Sequence, residues 1–208
     1  LGDVWLLGPH RLICGDSTKP ETYAQLMDGK QGNLIVTDPP YNVDYEGKAG
    51  TIQNDSMADK KFYDFLFAAF KSMFDAVADG ASAYIFHADK ESINFRTAFR
   101  DSGFFYHQNC IWVKNSPVLG RCDYHYCHEP VIVGWKATGN HKWYGGRKQR
   151  TVWNFDRPQT SKLHPTMKPV ALMAYPIQNS STVNSIVLDP FAGSGSTLIA
   201  CEQTGRVC

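Results

Sequence analysis

Leu34-Ile35-Val36-Thr37-Asp38-Pro39-Pro40-Tyr41 is the stretch from which the rest of the chain can be interpreted. Four residues with strand propensity run into an acid, then into two prolines that cannot continue a sheet, then into an aromatic ring. The pattern predicts Asp38 at the carboxyl end of a strand, with the prolines fixing the loop behind it and Tyr41 held beside it on a stiffened backbone. Such a strand end presents a hydrogen-bond acceptor and a flat stacking surface together, at the rim of an α/β sheet. An ordinary strand end with a Pro-Pro turn has the same composition. The neighbouring sequence has to discriminate.

Upstream, residues 4–7 and 10–14 read as two strands around Gly8-Pro9, the second ending in Gly15-Asp16. A helix from Pro20 then leads to the strand over 33–37, so the two acid-ended strands are expected to form a parallel βαβ unit. Downstream, residues 42–56 lack periodicity and read as a long loop over the rim. Phe62, Phe65, Leu66, Ala69, Phe70, Met73, Phe74 and Val77 then recur at helical spacing as one apolar face. Strands are expected over 83–87, 105–113, 130–135 and 185–189, with helices over 90–100, from 170, and into Gln203. The short connection between 113 and 130 predicts an antiparallel pair there. Residues 139–159 are polar, basic and aromatic, with no assignable element. Trp143, Tyr144 and Trp153 suit either local packing or contacts to a groove.

A chain of 208 residues with 43% hydrophobic content can bury one sizeable core, and a single domain over 1–208 is expected. It has no long apolar run and no cationic-then-apolar leader, so a cytoplasmic location is expected. Six scattered cysteines form no disulfide pattern. Cys122, Cys127 and His128, with His125 nearby, lack the second ligand pair that structural zinc requires, so no metal is expected. The net charge of +1 is uninformative, but its distribution is not. Lys114, Arg121, Lys136, Lys142, Arg147, Lys148 and Arg150 face only Asp123 and Glu129 over that stretch. A phosphate-facing surface accounts for this, and so does a solvated loop face.

The second informative stretch is Asp189-Pro190-Phe191-Ala192-Gly193-Ser194-Gly195-Ser196-Thr197, a strand end, a Gly-x-Gly turn and a helix start. Glycines let a ligand approach the backbone, and the helix start offers free N–H groups. A dinucleotide fingerprint needs a third glycine where Leu198 stands, and a phosphate loop needs a lysine that this turn lacks. What remains is a nucleoside ligand with a small charged tail, with Asp189 available for an ammonium. S-adenosylmethionine fits that description.

Together, Asp38-Pro39-Pro40-Tyr41 and Phe191-Ala192-Gly193-Ser194-Gly195 resemble the amino-group DNA methyltransferases, which modify adenine N6 or cytosine N4. Their order, acceptor motif first and cofactor motif last, resembles the permuted β group of that family. The resemblance implies a Rossmann-like methyltransferase fold: α/β, a mostly parallel sheet with an antiparallel strand, and circularly permuted motifs. It implies S-adenosylmethionine as cofactor, and duplex DNA with a flipped target base as partner; a homodimer is compatible with it. Asp38, Pro39, Pro40 and Tyr41 correspond to the catalytic motif. Asp16, Asp38, His164, Thr166, Lys168, Asp189, Phe191, Ala192, Gly193, Ser194, Gly195 and Thr197 correspond to the cofactor site. Ile111-Trp112-Val113-Lys114 and His128-Glu129 resemble the family's segments near the target base. Residues from about 115 to 160 are expected to form the target-recognition segment. Lys114, Arg121, Lys142, Arg147, Lys148 and Arg150 are the expected phosphate contacts.

The chemistry accounts for the residue types. An exocyclic amine is a poor nucleophile because its lone pair is delocalised into the ring. Asp38 and the Pro39 carbonyl can accept its two hydrogens, leaving the lone pair aimed at the sulfonium methyl. Tyr41 would stack on a base turned out of the duplex. Methylation at cytosine C5 needs a Pro-Cys nucleophile, and no cysteine here follows a proline. Asp38 favours adenine N6, because the cytosine-N4 group more often carries serine there. RNA or protein-amide methylation, or an inactive DNA-binding relative, are the competing readings. The acidic residue that the family uses for the cofactor ribose has no counterpart before Cys208. The chain is expected to have been trimmed within that strand.

Overall fold

The computed structural model describes residues 1–43, 46–47, 50–51, 55–118, 122–157 and 167–208. β1 (Val4–Leu7) and β2 (His10–Ile13) pair antiparallel as a two-stranded ribbon. α1 (Pro20–Met27) carries proline in its first turn, where no amide hydrogen is needed, and stops at left-handed Asp28. β3 (Gly32–Thr37) follows, then two two-residue strands, β4 (Glu46–Gly47) and β5 (Gly50–Thr51), paired as a small hairpin. α2 (Asp59–Ala76) runs directly into β6 (Val77–Phe86). A 3-10 turn leads to α3 (Ser92–Asp101), and β7 (Phe104–Val118), β8 (Tyr126–Lys136) and β9 (Val152–Asn154) complete the middle of the chain. α4 (Val170–Ser180), β10 (Val187–Leu188) and α5 (Ser196–Thr204) close it.

Six strands form one sheet in the order β10-β3-β6-β8-β7-β9. β10, β3 and β6 are parallel, β8 is antiparallel to both its neighbours, and β9 is parallel to β7. β8 alone therefore runs against the rest, as expected for a mostly parallel sheet with one reversed strand. β10 and β3 are adjacent, with Val187 opposite Leu34, which brings the two motif-bearing strand ends side by side. From there the chain winds in opposite directions across the sheet, so the ends meet at a topological switch point.

Two expectations are corrected. β2 does not form a parallel unit with β3, because its partner is β1 and the neighbours of β3 are β10 and β6. Antiparallel pairing across a tight Gly-Pro turn is a local contact that forms without a crossover. Residues 139–159, left without an element, contain β9, which extends the sheet beyond β7.

Alternation along the strands divides the core between the two faces. Ile35, Ala83 and Ile85 pack with Phe62, Leu66, Phe70, Met73, Phe95 and Phe99 of α2 and α3. Leu34, Val36, Tyr84 and Phe86 pack with Leu172, Met173 and Ile177 of α4 and with Ala200 of α5. Each buried Val, Leu, Ile, Phe or Met among them contributes about 1.5–3 kcal/mol by leaving water. Lys136 caps α2 by donating to the carbonyls of Phe74 and Val77, at 3.1 and 3.0 Å. Beyond β10, Val207 bridges Ile186 in parallel, and the Cys208 carbonyl accepts from Arg11 N at 3.0 Å. The final residues thus link the ribbon to the sheet. Among the described residues no helix is long and apolar enough to cross a membrane.

Candidate active site

Leu34, Ile35, Val36 and Thr37 are fully buried, so β3 delivers Asp38 to the rim from a rigid strand. The loop behind it is tied down: Tyr41 N donates to Asp55 Oδ1 at 3.0 Å, and Asn42 Nδ2 to the Met57 carbonyl at 3.1 Å. The Tyr41 ring meets Phe95 edge-on at 6.4 Å. Its hydroxyl lies against Asp38 Oδ1 and 2.8 Å from Glu129 Oε2.

A lysine from a distant part of the sequence joins them. Lys168 Nζ is 2.6 Å from Asp38 Oδ2, 3.1 Å from Glu129 Oε2 and 3.1 Å from the Tyr41 hydroxyl. Its ammonium also lies over the rings of Tyr41, Phe86 and Trp112. Lys114 Nζ is 2.6 Å from Glu129 Oε1, and only 7% of its side chain is exposed. Lys114 was expected on the phosphate-facing surface. Instead it is an interior counter-ion, because a buried carboxylate at Glu129 needs compensation.

Electrostatics separates the two carboxylates. Burial pushes Glu129 up, but Lys168 and Lys114 outweigh it and bring its pKa to about 2. Burial raises Asp38, Lys168 counteracts this, and the negative charge on Glu129 adds to the rise. Burial lowers the Lys168 pKa, but Asp38 and Glu129 together overcome that and keep the ammonium charged.

The Gly-x-Gly turn lies beside this cluster. Asp189 Oδ1 accepts from Thr37 Oγ1 at 2.6 Å and from Phe191 N at 3.1 Å. Burial pushes its pKa up to about 6, against the opposing effect of Thr197, Thr37 and the Phe191 amide, while the charge of Asp38 adds to the rise. Gly193 and Gly195 have φ of 50° and 78°. A Cβ at Gly195 would meet nothing within 4 Å, and one at Gly193 only the Phe191 carbonyl at 3.8 Å. The turn is therefore open on the side where a ligand would approach, at the start of α5. Ser196 Oγ donates to the Lys168 carbonyl at 2.8 Å, joining the turn to the segment that leads into α4. A charged nucleoside such as S-adenosylmethionine fits this donor set: an open backbone cradle with an acid of adjustable charge beneath it.

Asp16 is exposed and accepts from Thr18 N and Oγ1 at 2.9 and 2.8 Å, and these bonds lower its pKa. Burial and the charges of Asp16 and Asp189 all oppose ionisation of Tyr23, whose hydroxyl donates to the Ser17 carbonyl at 2.8 Å. Phe191 packs edge-on against Phe65 at 6.0 Å, and the Gly195 amide closes the turn onto the Ala192 carbonyl at 2.8 Å. Ser194 Oγ is 3.1 Å from Ser196 Oγ. Arg121, His164 and Thr166 lie outside the described residues. Lys142, Arg147, Lys148 and Arg150 are exposed. Their segment is anchored at the far end of α4, where Tyr144 N donates to the Asn179 carbonyl at 2.7 Å. That is about 15 Å along the helix from Lys168. Trp153 is buried between Tyr84 and Tyr175, so it is core, whereas Trp143 and Tyr144 are half exposed. Cys122 Sγ and His125 Nδ1 are 3.9 Å apart and exposed, and no cluster of three metal-ligating residues exists among the described residues.

Sequence reasoning missed the weight carried by Glu129 and Ser196. Glu129 had one visible signal, an acid heading the apolar run from Pro130 to Trp135. Ser196 had none apart from its place in the turn.

Known proteins of similar sequence and structure identify the family and the fold. A family model described as DNA methylase, of the N6/N4 type, matches residues 33–208. The type II methyltransferase M.HpaI of Haemophilus parainfluenzae is 27% identical, over 94% of this chain and 68% of its own length. The DNA adenine methyltransferase YhdJ of Escherichia coli is also 27% identical, over 84% of this chain and 69% of its own. Among solved structures, the cytosine-N4-specific PvuII DNA methyltransferase has a TM-score of 0.74 at 14% identity, covering 94% of this chain and 78% of its own. The M1.HpyAVI–SAM complex has a TM-score of 0.66 at 22% identity, covering 93% and 88%. The two structures establish the fold as the Rossmann-like methyltransferase fold. With the family match spanning most of the chain, the protein belongs to the N6/N4 DNA methylase family.

Proposed function

We propose that the protein is an S-adenosylmethionine-dependent DNA methyltransferase acting on the N6 amine of adenine within a specific duplex sequence. The observation that carries this reading is the adjacency of β3 and β10. It sets the amine-holding Asp38 next to the open turn at Gly193 and Gly195. The bound donor supplies an electrophilic methyl on a sulfonium. Asp38 and the Pro39 carbonyl orient the amine, so that its lone pair rather than its hydrogens faces that methyl. Tyr41, fixed at its hydroxyl and along its ring edge, offers a face preorganised for the flipped base. Asp189 takes the donor's ammonium, and the amides at the start of α5 take its carboxylate. The 208 residues work as one catalytic domain in the cytoplasm, with about 115–160 as the target-recognition segment. Lys142, Arg147, Lys148 and Arg150 face the phosphates.

Adenine is favoured because position 38 is aspartate rather than serine, and YhdJ is named an adenine methyltransferase. The similarity to PvuII methyltransferase supports a second reading, cytosine N4. Asp38→Ala should lower methyl transfer to duplex DNA by at least about 100-fold. Donor affinity measured by calorimetry should stay within a few-fold. Unchanged turnover would remove Asp38 from this role.

A further inference from the structure

The cluster around Asp38 holds more donors and charges than orienting one amine requires. Two carboxylates (Asp38, Glu129) and two ammonium groups (Lys168, Lys114) balance, and the Tyr41 hydroxyl sits between the carboxylates. That hydroxyl has a single hydrogen, so it can donate to only one of the two carboxylates at a time. Glu129 has a lysine on each oxygen, at 2.6 and 3.1 Å, whereas Asp38 has Lys168 alone. The asymmetry assigns different roles to two otherwise similar acids.

On the reading proposed above, we propose that Glu129 is a positioning residue for methyl transfer. Seated between Lys114 and Lys168, it stays ionised, anchors the Tyr41 hydroxyl and shares Lys168, leaving Asp38 as the carboxylate that takes the proton lost from the methylated amine. In that step the amine nitrogen forms a bond to the methyl carbon and the carbon–sulfur bond breaks, with its electron pair staying on sulfur. The nitrogen then carries one proton too many, and Asp38 accepts it. Glu129, with its negative charge fixed by two lysines, is too weak a base to compete.

The groups that set the charge of Asp38 come from four directions. Tyr41 lies on its own loop, Lys168 ahead of α4, Glu129 on β8 and Asp189 after β10, while Lys114 acts through Glu129. This gives two predictions of opposite sign. In Glu129→Gln, Lys168 serves Asp38 alone and the repelling charge is gone, so Asp38 becomes a weaker base. In Lys114→Gln, Glu129 loses one cation, draws Lys168 towards itself, and leaves Asp38 a stronger base.

The test is the pH profile of kcat with saturating labelled S-adenosylmethionine and unmethylated plasmid DNA, with donor affinity from calorimetry reporting that each variant is folded. Glu129→Gln should lower kcat roughly ten- to a hundred-fold and move the acid limb to lower pH. Lys114→Gln should move it to higher pH, and Glu129→Asp should recover part of the rate. Limbs that stay in place, or that shift the same way in both variants, would overturn the inference even if both lose rate. A wild type that binds donor yet methylates no DNA would overturn the proposed function together with this inference. An active wild type with unmoved limbs in the variants would overturn this inference alone.

Discussion

Asp189 has an observed role in the fold and, on the proposed reading, a second one toward the ligand. It is tied to Thr37 on the neighbouring strand, which fixes the strand ends relative to one another, and its burial raises its pKa to about 6. A cationic ammonium binds the ionised form. Protonation as pH falls through about 6 should therefore weaken donor binding, by up to about tenfold per pH unit at the steepest. Calorimetric titrations of S-adenosylmethionine between pH 5 and 8 check this, with Asp189→Asn expected to bind weakly with no such dependence. Affinity that is flat through pH 6 in the wild type would remove Asp189 from ammonium binding. Asp38 was readable from the sequence because two prolines and a strand enclose it. Lys168 was readable only as part of a resemblance, and its place at Asp38 required knowing that α4 starts at the same rim.

At the scale of elements, the apolar stripe of α2 and the alternation in β3 and β6 declare their buried faces in the sequence, since periodicity records which side leaves water. The antiparallel β7–β8 pair followed from a connection too short for a helical crossover. β9 was illegible: three residues that pair with β7 leave no pattern, and their place is set by Trp153 filling a gap beside Tyr84 and Tyr175. The error at β2 came from reading the spacing of strand, helix and strand as a unit, when the ribbon partner lay two residues upstream. Between β7 and β8 the packing is close at Gly134, where a Cβ would lie 2.1 Å from the Phe105 carbonyl and 2.7 Å from the Phe99 ring. Gly134→Ala should destabilise the fold by about 1–3 kcal/mol, which a thermal melt would report as a lower Tm. An unchanged Tm would show that the two strands can separate there without cost.

For the whole molecule, near-neutral net charge conceals a division between interior and surface cations. Lys114 and Lys136 are committed to Glu129 and to the end of α2, whereas Lys142, Arg147, Lys148 and Arg150 face solvent. If these exposed cations contact phosphates, Arg147→Ala with Lys148→Ala should weaken DNA binding and reduce the slope of log affinity against log salt by about 1.8. A fluorescence-anisotropy titration at several salt concentrations measures that slope, and an unaltered slope would move the DNA path elsewhere. The central claim is that two neighbouring strand ends join an amine-holding acid to a methyl donor. The most direct measurement incubates the protein with methyl-labelled S-adenosylmethionine and unmethylated duplex DNA, then digests the DNA and identifies the labelled nucleoside. The account predicts N6-methyladenosine as its deoxynucleoside, lost in Asp38→Ala. Label found only in 5-methylcytosine, or no label from a protein that binds the donor, would contradict it.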